Sequence, residues 1–262
     1  MTYENLTLER RDGVATLTLN RPNAANSIDL PLARELMHAA IACDDDVEVR
    51  AVVLTGAGKM FCAGGDLRAF ADTGPAIASR LKELTAYLHA AISRLTRMDA
   101  PVIAAVNGMA AGAGFSLAIA ADLVLASDTA GFVMAYTQAG LVPDGSSTFF
   151  LPRRIGDRRT RELMLTNRRL SAAEALDWGL VNQVVPADEL LPAATKLAAT
   201  LAAGPTRSFG ATKALLNESF EHGLEAQMEL EARAIAGAAI TPDGQEGIRA
   251  FLEKRKPAFT GK

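Results

Sequence analysis

The stretch PVIAAVNGMAAGAGFSLAIAADLVLAS, residues 101–127, decides how this chain folds. It opens on a continuous apolar run, PVIAAV, that reads as a strand buried on both faces. Asn107-Gly108 breaks the run, a small-residue helix begins near Gly112, and DLVLAS supplies a further buried strand. Strand, glycine turn, helix and strand in so short a span predict an α/β core with layered, largely parallel pairing.

A comparable turn lies upstream, where the buried strand AVVLTG (51–56) leads to FCAGGDL (61–67). Small residues at both turns let backbone N–H groups approach a ligand oxygen with no Cβ in the way. Two such donors converging on one carbonyl would form an oxyanion hole, which stabilises charge that develops during reaction. Tight packing of a helix on a sheet accounts for the same residues equally well, so spacing alone leaves both readings open. Gly112-Ala113-Gly114 also approximates a dinucleotide fingerprint, but position 117, where its third glycine belongs, holds Leu117.

Working outward, residues 5–10 and 14–20 alternate apolar and polar around Asp12-Gly13, a hairpin signal. Asp29 is placed to cap a helix whose apolar face carries Leu32, Leu36, Met37, Ala40 and Ile41. Ile77, Leu81, Leu84, Leu88, Ile92 and Leu95 mark a second helix at three-to-four spacing. After Gly156 the pattern is mostly helical, over 158–167, 171–178, 187–203, 206–220, 224–239 and 243–254, with one strand at 180–185. Gly204-Pro205 divides a core, 1–204, from a C-terminal helical region, 205–262.

At 262 residues, 49% hydrophobic and 22% charged, the chain can bury a full core as a soluble protein. A net charge of −3 gives no basis for capturing nucleic acid or a membrane surface. The basic runs at 153–161 and 254–256 read as solvated faces. Cys43 and Cys62 are too few for a disulfide framework, and His38, His89 and His222 are too dispersed to suggest a zinc site. No apolar signal core, membrane-length run or peroxisomal terminus is evident, so a cytoplasmic location is expected.

Isolated polar residues admit two readings each. Ser116 lacks the G-x-S-x-G setting of a hydrolase nucleophile and reads as structural in the first turn of a helix. Asp144, in GLVPDGSSTFF (140–150), is either an N-cap or the acid of a site, and Asp66 could cap the segment starting at Leu67. Phe132 and Tyr136 are core aromatics or pocket walls.

Together, LTLNRPNAANSID (17–29), FCAGGDL, the 101–127 stretch, LSAAEALDWGLVNQVVP (170–186) and FLEKRKPAF (251–259) resemble the crotonase superfamily, the enoyl-CoA hydratase/isomerase proteins. The resemblance covers nearly the whole chain. It implies a spiral of ββα units, C-terminal helices that join subunits into homotrimers or hexamers, and an acyl-CoA thioester substrate. It implies no metal or redox cofactor, since coenzyme A is part of the substrate. By position it implies the N–H groups of Gly65 and Ala113 as oxyanion donors, the second aided by its helix dipole. It further implies that Ala24, Ala25, Ala63, Asp66 and Leu67 border the CoA moiety, and that Phe251 and Lys254 reach a neighbouring subunit's CoA.

Departures from the family pattern bear on the chemistry. Hydratases of this family hold the attacking water with two glutamates, and here those positions carry Ser116 and Tyr136, which become substrate-lining residues. Asp144 stands where an acid serves several CoA isomerases. FVMAYTQAGLVPDGSSTFFLPRRIG (132–156) is similar to 1,2-epoxyphenylacetyl-CoA isomerases and to Δ3,Δ2-enoyl-CoA isomerases. The resemblance thus implies an isomerase using Asp144 as its single acid/base, in a pocket dried by Val142 and by Phe149 or Phe150. The alternatives are an enoyl-CoA hydratase, a dehalogenase-like enzyme with Asp144 as nucleophile, and a non-catalytic acyl-CoA-binding or RNA-associated relative.

Overall fold

The computed structural model describes residues 2–71 and 74–262. In chain order the strands are β1 (Leu6–Arg11), β2 (Val14–Leu19), β3 (Ala51–Gly56), β4 (Met60–Cys62), β5 (Val102–Val106), β6 (Met109–Ala111), β7 (Leu123–Ser127), β8 (Gly131–Val133), β9 (Leu170–Ser171) and β10 (Gln183–Val185). The helices are α1 (Leu30–Asp44), α2 (Leu67–Ala71), α3 (Ile77–Arg97), α4 (Ala113–Ile119), α5 (Ser147–Thr166), α6 (Ala172–Asp177), α7 (Leu190–Ala202), α8 (Thr206–Glu218), α9 (Leu224–Ala239) and α10 (Pro242–Leu252).

Two sheets result. The larger runs β1-β2-β3-β5-β7-β10, and the smaller β4-β6-β8-β9. Each of the pairs β3–β4, β5–β6 and β7–β8 gives one strand to each sheet before the chain moves to the next layer, which is the repeating unit of the spiral. Among the described residues only the β1–β2 hairpin and the β8–β9 pair are antiparallel. At the hairpin tip Asp12 and Gly13 both have positive φ, 50° and 77°, the twist that a two-residue connection needs.

Period-two geometry divides the central strands between two cores. Ala51, Val53, Ile103, Ala105 and Leu125 face α7, where Leu190, Ala194 and Ala198 meet them. Val52, Leu54, Val102, Ala104 and Val124 face the other way, into the main core with α1, α3 and α4. Burial on both faces explains why these strands read as unbroken apolar runs.

Asp29 caps α1 as expected, its carboxylate accepting from Leu32 N at 2.9 Å. Ile41 and Ile77, placed on buried faces by the periodicity, are instead exposed, while Ala33, Ala39 and Cys43 complete the inner face of α1. The helix expected from 158 begins at Ser147 and is broken at Gly156, whose φ of 79° and ψ of 159° are not helical. The strand expected over 180–185 is confined to Gln183–Val185. The four strands of the smaller sheet were not anticipated from the sequence. The C-terminal α8 docks on the core through Lys213, which is buried, pairs with Asp122 at 2.8 Å and donates to Ala100 O at 2.9 Å.

The backbones at the centre approach very closely. A Cβ built on Gly114 would lie 2.4 Å from Cys62 O and 2.8 Å from Cys62 Sγ, so α4 rests on β4 only because that atom is missing. Gly114→Ala is expected to destabilise the protein by about 1–3 kcal/mol through overpacking. The readout is a lower urea midpoint at unchanged m-value, and an unchanged midpoint would show that the contact is yielding.

Candidate active site

The two glycine turns meet at one cavity of about 280 Å3, lined by Ala63, Gly64, Gly65, Gly112, Ala113, Tyr136 and Asp144 with apolar residues from α2 and α3. Their orientation follows from pairing. Residue 28 forms a single parallel bridge with residue 65, in which Ile28 N donates to Gly64 O at 2.7 Å and Asp66 N to Ile28 O at 2.9 Å. Alternate groups of an extended chain point to opposite sides, so the Gly65 N–H turns away from Ile28. Ala113 is the first residue of α4, where an amide has no intrahelical acceptor. Among the described residues neither amide has a protein acceptor, and both belong to the cavity wall.

Arg21 fixes the first turn from outside. Its guanidinium reaches Asp29 at 2.9 Å and Asp66 at 3.2 Å, and it donates to Ser27 O. Asp66 also caps the segment after it, accepting from Ala69 N at 3.3 Å. Burial works against the Asp66 carboxylate, but the Ala69 amide and Arg21 outweigh it and hold its pKa below the ordinary value. Asn26, fully buried with a φ of 54°, donates to Ala57 O at 2.9 Å and Met60 O at 2.8 Å. The 21–29 loop is thereby sewn to the strand that enters the turn.

Asp144 also lines this cavity. Its Oδ1 accepts from the Tyr136 hydroxyl at 2.7 Å, and its Oδ2 is 3.3 Å from His89 Nε2. Ser116 Oγ lies 3.0 Å from Tyr136 Oη and donates to the Asp144 backbone O at 2.9 Å. Burial, followed by the adjacent negative Asp144, pushes the Tyr136 phenol above its ordinary pKa, so it remains a proton donor to that carboxylate. The capping reading of Asp144 is overturned: α5 has Ser146 at its N-cap with no side-chain cap, and only the backbone O of Asp144 serves the first turn, accepting from Ser147 N at 3.3 Å.

The cavity brings together Gly65, Ala113, Ala63, Leu67, Tyr136 and Asp144. Ser116 is buried behind the wall, where its oxygen is consumed by Tyr136 and Asp144. Ala24 and Ala25 lie one layer out, joined to the turn by Ala63 N donating to Ala25 O at 3.0 Å. Asp66 directs its carboxylate to Arg21. Phe251 and Lys254 are exposed at the end of α10 and do not line the cavity of this chain. Of the apolar neighbours named from the sequence, Val142 lines the cavity, whereas Phe149 and Phe150 line an adjoining one.

Sequence reasoning passed over Arg21 and His89. Arg21 stands in the quoted LTLNRPNAANSID stretch, but its partners are sequence-distant; His89 is one residue beyond Leu88 on the apolar stripe of α3 and was weighed only as a metal ligand. Cys62, beside the first turn, is no competing nucleophile, because burial pushes its thiol up to about 12. Among the described residues no group of His, Cys, Asp and Glu is arranged to hold a metal ion.

Comparison with known proteins agrees with this architecture. The family model described as enoyl-CoA hydratase/isomerase matches residues 9–262. The chain is 41% identical to the 1,2-epoxyphenylacetyl-CoA isomerase of Escherichia coli K12 over 252 residues, covering 95% of this chain and 96% of that one. It is 39% identical to a protein of Rhodobacter capsulatus named "probable enoyl-CoA hydratase", over the full length of both. The crystal structure of an enoyl-CoA hydratase from Bacillus anthracis superposes with a TM-score of 0.93 at 32% identity, covering 99% of this chain and all of that one. Sequence, fold and the paired turns concur, and the chain belongs to the enoyl-CoA hydratase/isomerase family.

Proposed function

We propose that the protein is an acyl-CoA isomerase that moves a double bond, or rearranges a ring epoxide, in an unsaturated CoA thioester. The observation that carries this reading is the isolation of one acid. Among the described residues lining the cavity Asp144 is the only carboxylate; the Tyr136 hydroxyl donates to it, and the Ser116 hydroxyl donates to the backbone O of the same residue.

In the proposed mechanism the Gly65 and Ala113 amides bind the thioester oxygen and polarise it. Asp144 takes a proton from the carbon next to the carbonyl: the C–H bond breaks, an O–H bond forms, and its electron pair moves into a dienolate held by the two amides. The same carboxyl then protonates the far end of the allylic system, and the double bond settles into conjugation. One such donor is worth about 3 kcal/mol of transition-state stabilisation where charge develops on oxygen. The proton begins and ends on carbon, so the step is redox-neutral and calls for no metal or redox cofactor.

In the family's hydratases the attacking water is held by two glutamates. With Ser116 and Tyr136 engaged and Leu81, Leu84, Leu88 and Leu141 forming an apolar wall, the cavity favours proton shuttling over water addition. The CoA portion would pass the Ala24–Ala25 loop and Leu67. Leu224, Met228, Ile235, Ile240, Phe251 and Leu252 are all exposed on or beside α9 and α10, and no residue of α9 is buried. A surface of that kind marks an interface, and we read it as the contact between copies in a homotrimer or hexamer, where Phe251 and Lys254 would approach a neighbouring copy's CoA.

Supplied with a 3-enoyl-CoA, the enzyme should release the conjugated 2-enoyl-CoA, and Asp144→Asn should lower kcat on the order of 10²- to 10⁴-fold. Full turnover in that variant would remove Asp144 from the mechanism. Rapid formation of 3-hydroxyacyl-CoA from 2-enoyl-CoA would favour a hydratase instead. Tyr136→Phe deletes a hydrogen bond to a charged group worth about 1.5–3 kcal/mol. It should therefore lower kcat roughly 10- to 100-fold with little change in KM, and an effect confined to KM would make Tyr136 a binding residue.

A further inference from the structure

Behind the Asp144 wall lies a second cavity of about 500 Å3, between α3, α5 and α8, and His89 lines it. The imidazole is half exposed there, while its Nε2 stands 3.3 Å from Asp144 Oδ2 and 3.3 Å from the Gly145 amide nitrogen. His89 therefore separates the acid of the first cavity from the opening of the second. Arg97 from α3, with Glu218, Glu221 and His222 from α8 and the turn after it, are the charged and titratable groups lining that opening. His222 is paired with Glu218 at 3.8 Å.

The Gly145 N–H donates to Nε2, which leaves that nitrogen bare and puts the proton of a neutral ring on Nδ1. Oδ1 accepts from the phenol of Tyr136, so Oδ2 is the oxygen that gains and loses a proton. A proton that Oδ2 takes from substrate then lies beside a nitrogen 3.3 Å away with a lone pair to receive it.

We propose that His89 is the proton partner of Asp144, taking over the proton that Oδ2 acquires from substrate and returning it before the second carbon is protonated. This rests on the acid/base reading of Asp144. In the step the Oδ2–H bond breaks and an Nε2–H bond forms on the nitrogen lone pair, giving a carboxylate beside an imidazolium, and the reverse step restores the neutral acid. While the proton is on the ring the starting carbon is not reprotonated. His89 touches Asp144 and not the substrate, so it is a positioning residue for the acid's proton.

The test uses the full-length enzyme with a 3-enoyl-CoA. His89→Gln keeps a polar side chain beside Oδ2 but cannot take up a proton. It is expected to lower kcat about tenfold or more at a KM within about twofold of wild type. His89→Ala leaves the second cavity open to its partner site, and added imidazole should raise its turnover several-fold while leaving His89→Gln unaffected. Wild-type kcat in a normally folded His89→Gln would overturn the proposal, as would failure of imidazole to rescue His89→Ala. Wild-type turnover in Asp144→Asn would overturn the acid/base reading and this proposal together, whereas an inactive Asp144→Asn beside an unaffected His89→Gln would overturn this proposal alone.

Discussion

Everything in this molecule depends on how closely two backbone turns approach. A Cβ on Gly64 would stand 2.9 Å from Ala111 O, nearer than side-chain carbons come to backbone, and would touch Ala113 N at 3.4 Å. The φ of Gly64, 94°, is one that other residues rarely adopt. With that atom absent, the Gly65 and Ala113 amides open on the same cavity. The spiral is what makes the approach possible, because β4 and β6 are adjacent parallel strands in successive layers. Fold and site are consequences of one steric condition.

The sequence disclosed those parts whose signal is local. The hairpin, the Asp29 cap and the long α3 stripe each rest on spacing within one segment, and spacing survives folding unchanged. Elements three residues long, such as β4, β6 and β8, contain too few positions for a period to be visible, and so the smaller sheet was hidden. The first half of α5 was hidden for another reason: Pro152 within it and Gly156 after it look like terminators, although the chain is helical on both sides of the break.

Site residues divide in the same way. The glycine turns and Asp144 were legible because their types are unusual for their surroundings. Arg21 and His89 were not, since each draws its meaning from a partner far along the chain, Asp66 and Asp144 respectively. Tyr136 and Ser116 were legible as departures from a family pattern, but the pattern gave no hint of their use. Only the folded geometry turns two missing glutamates into a phenol that holds another carboxylate and a hydroxyl that holds that residue's backbone.

That geometry also ties position 116 to position 144. A Cβ built on Gly145 would lie 3.0 Å from the Ser116 Cβ, so the loop carrying Asp144 rests directly on Ser116. A longer side chain at 116 would push into that loop and displace the acid from the cavity. Ser116 instead holds the loop by its backbone, donating to Asp144 O, and shares its oxygen with Tyr136, which in turn holds Asp144 Oδ1. A glutamate in the first turn of α4 and an aspartate at 144 would therefore compete for one volume. On the isomerase reading, a short residue at 116 is then more than the loss of a water-binding acid. It is the condition that lets a different acid line the cavity.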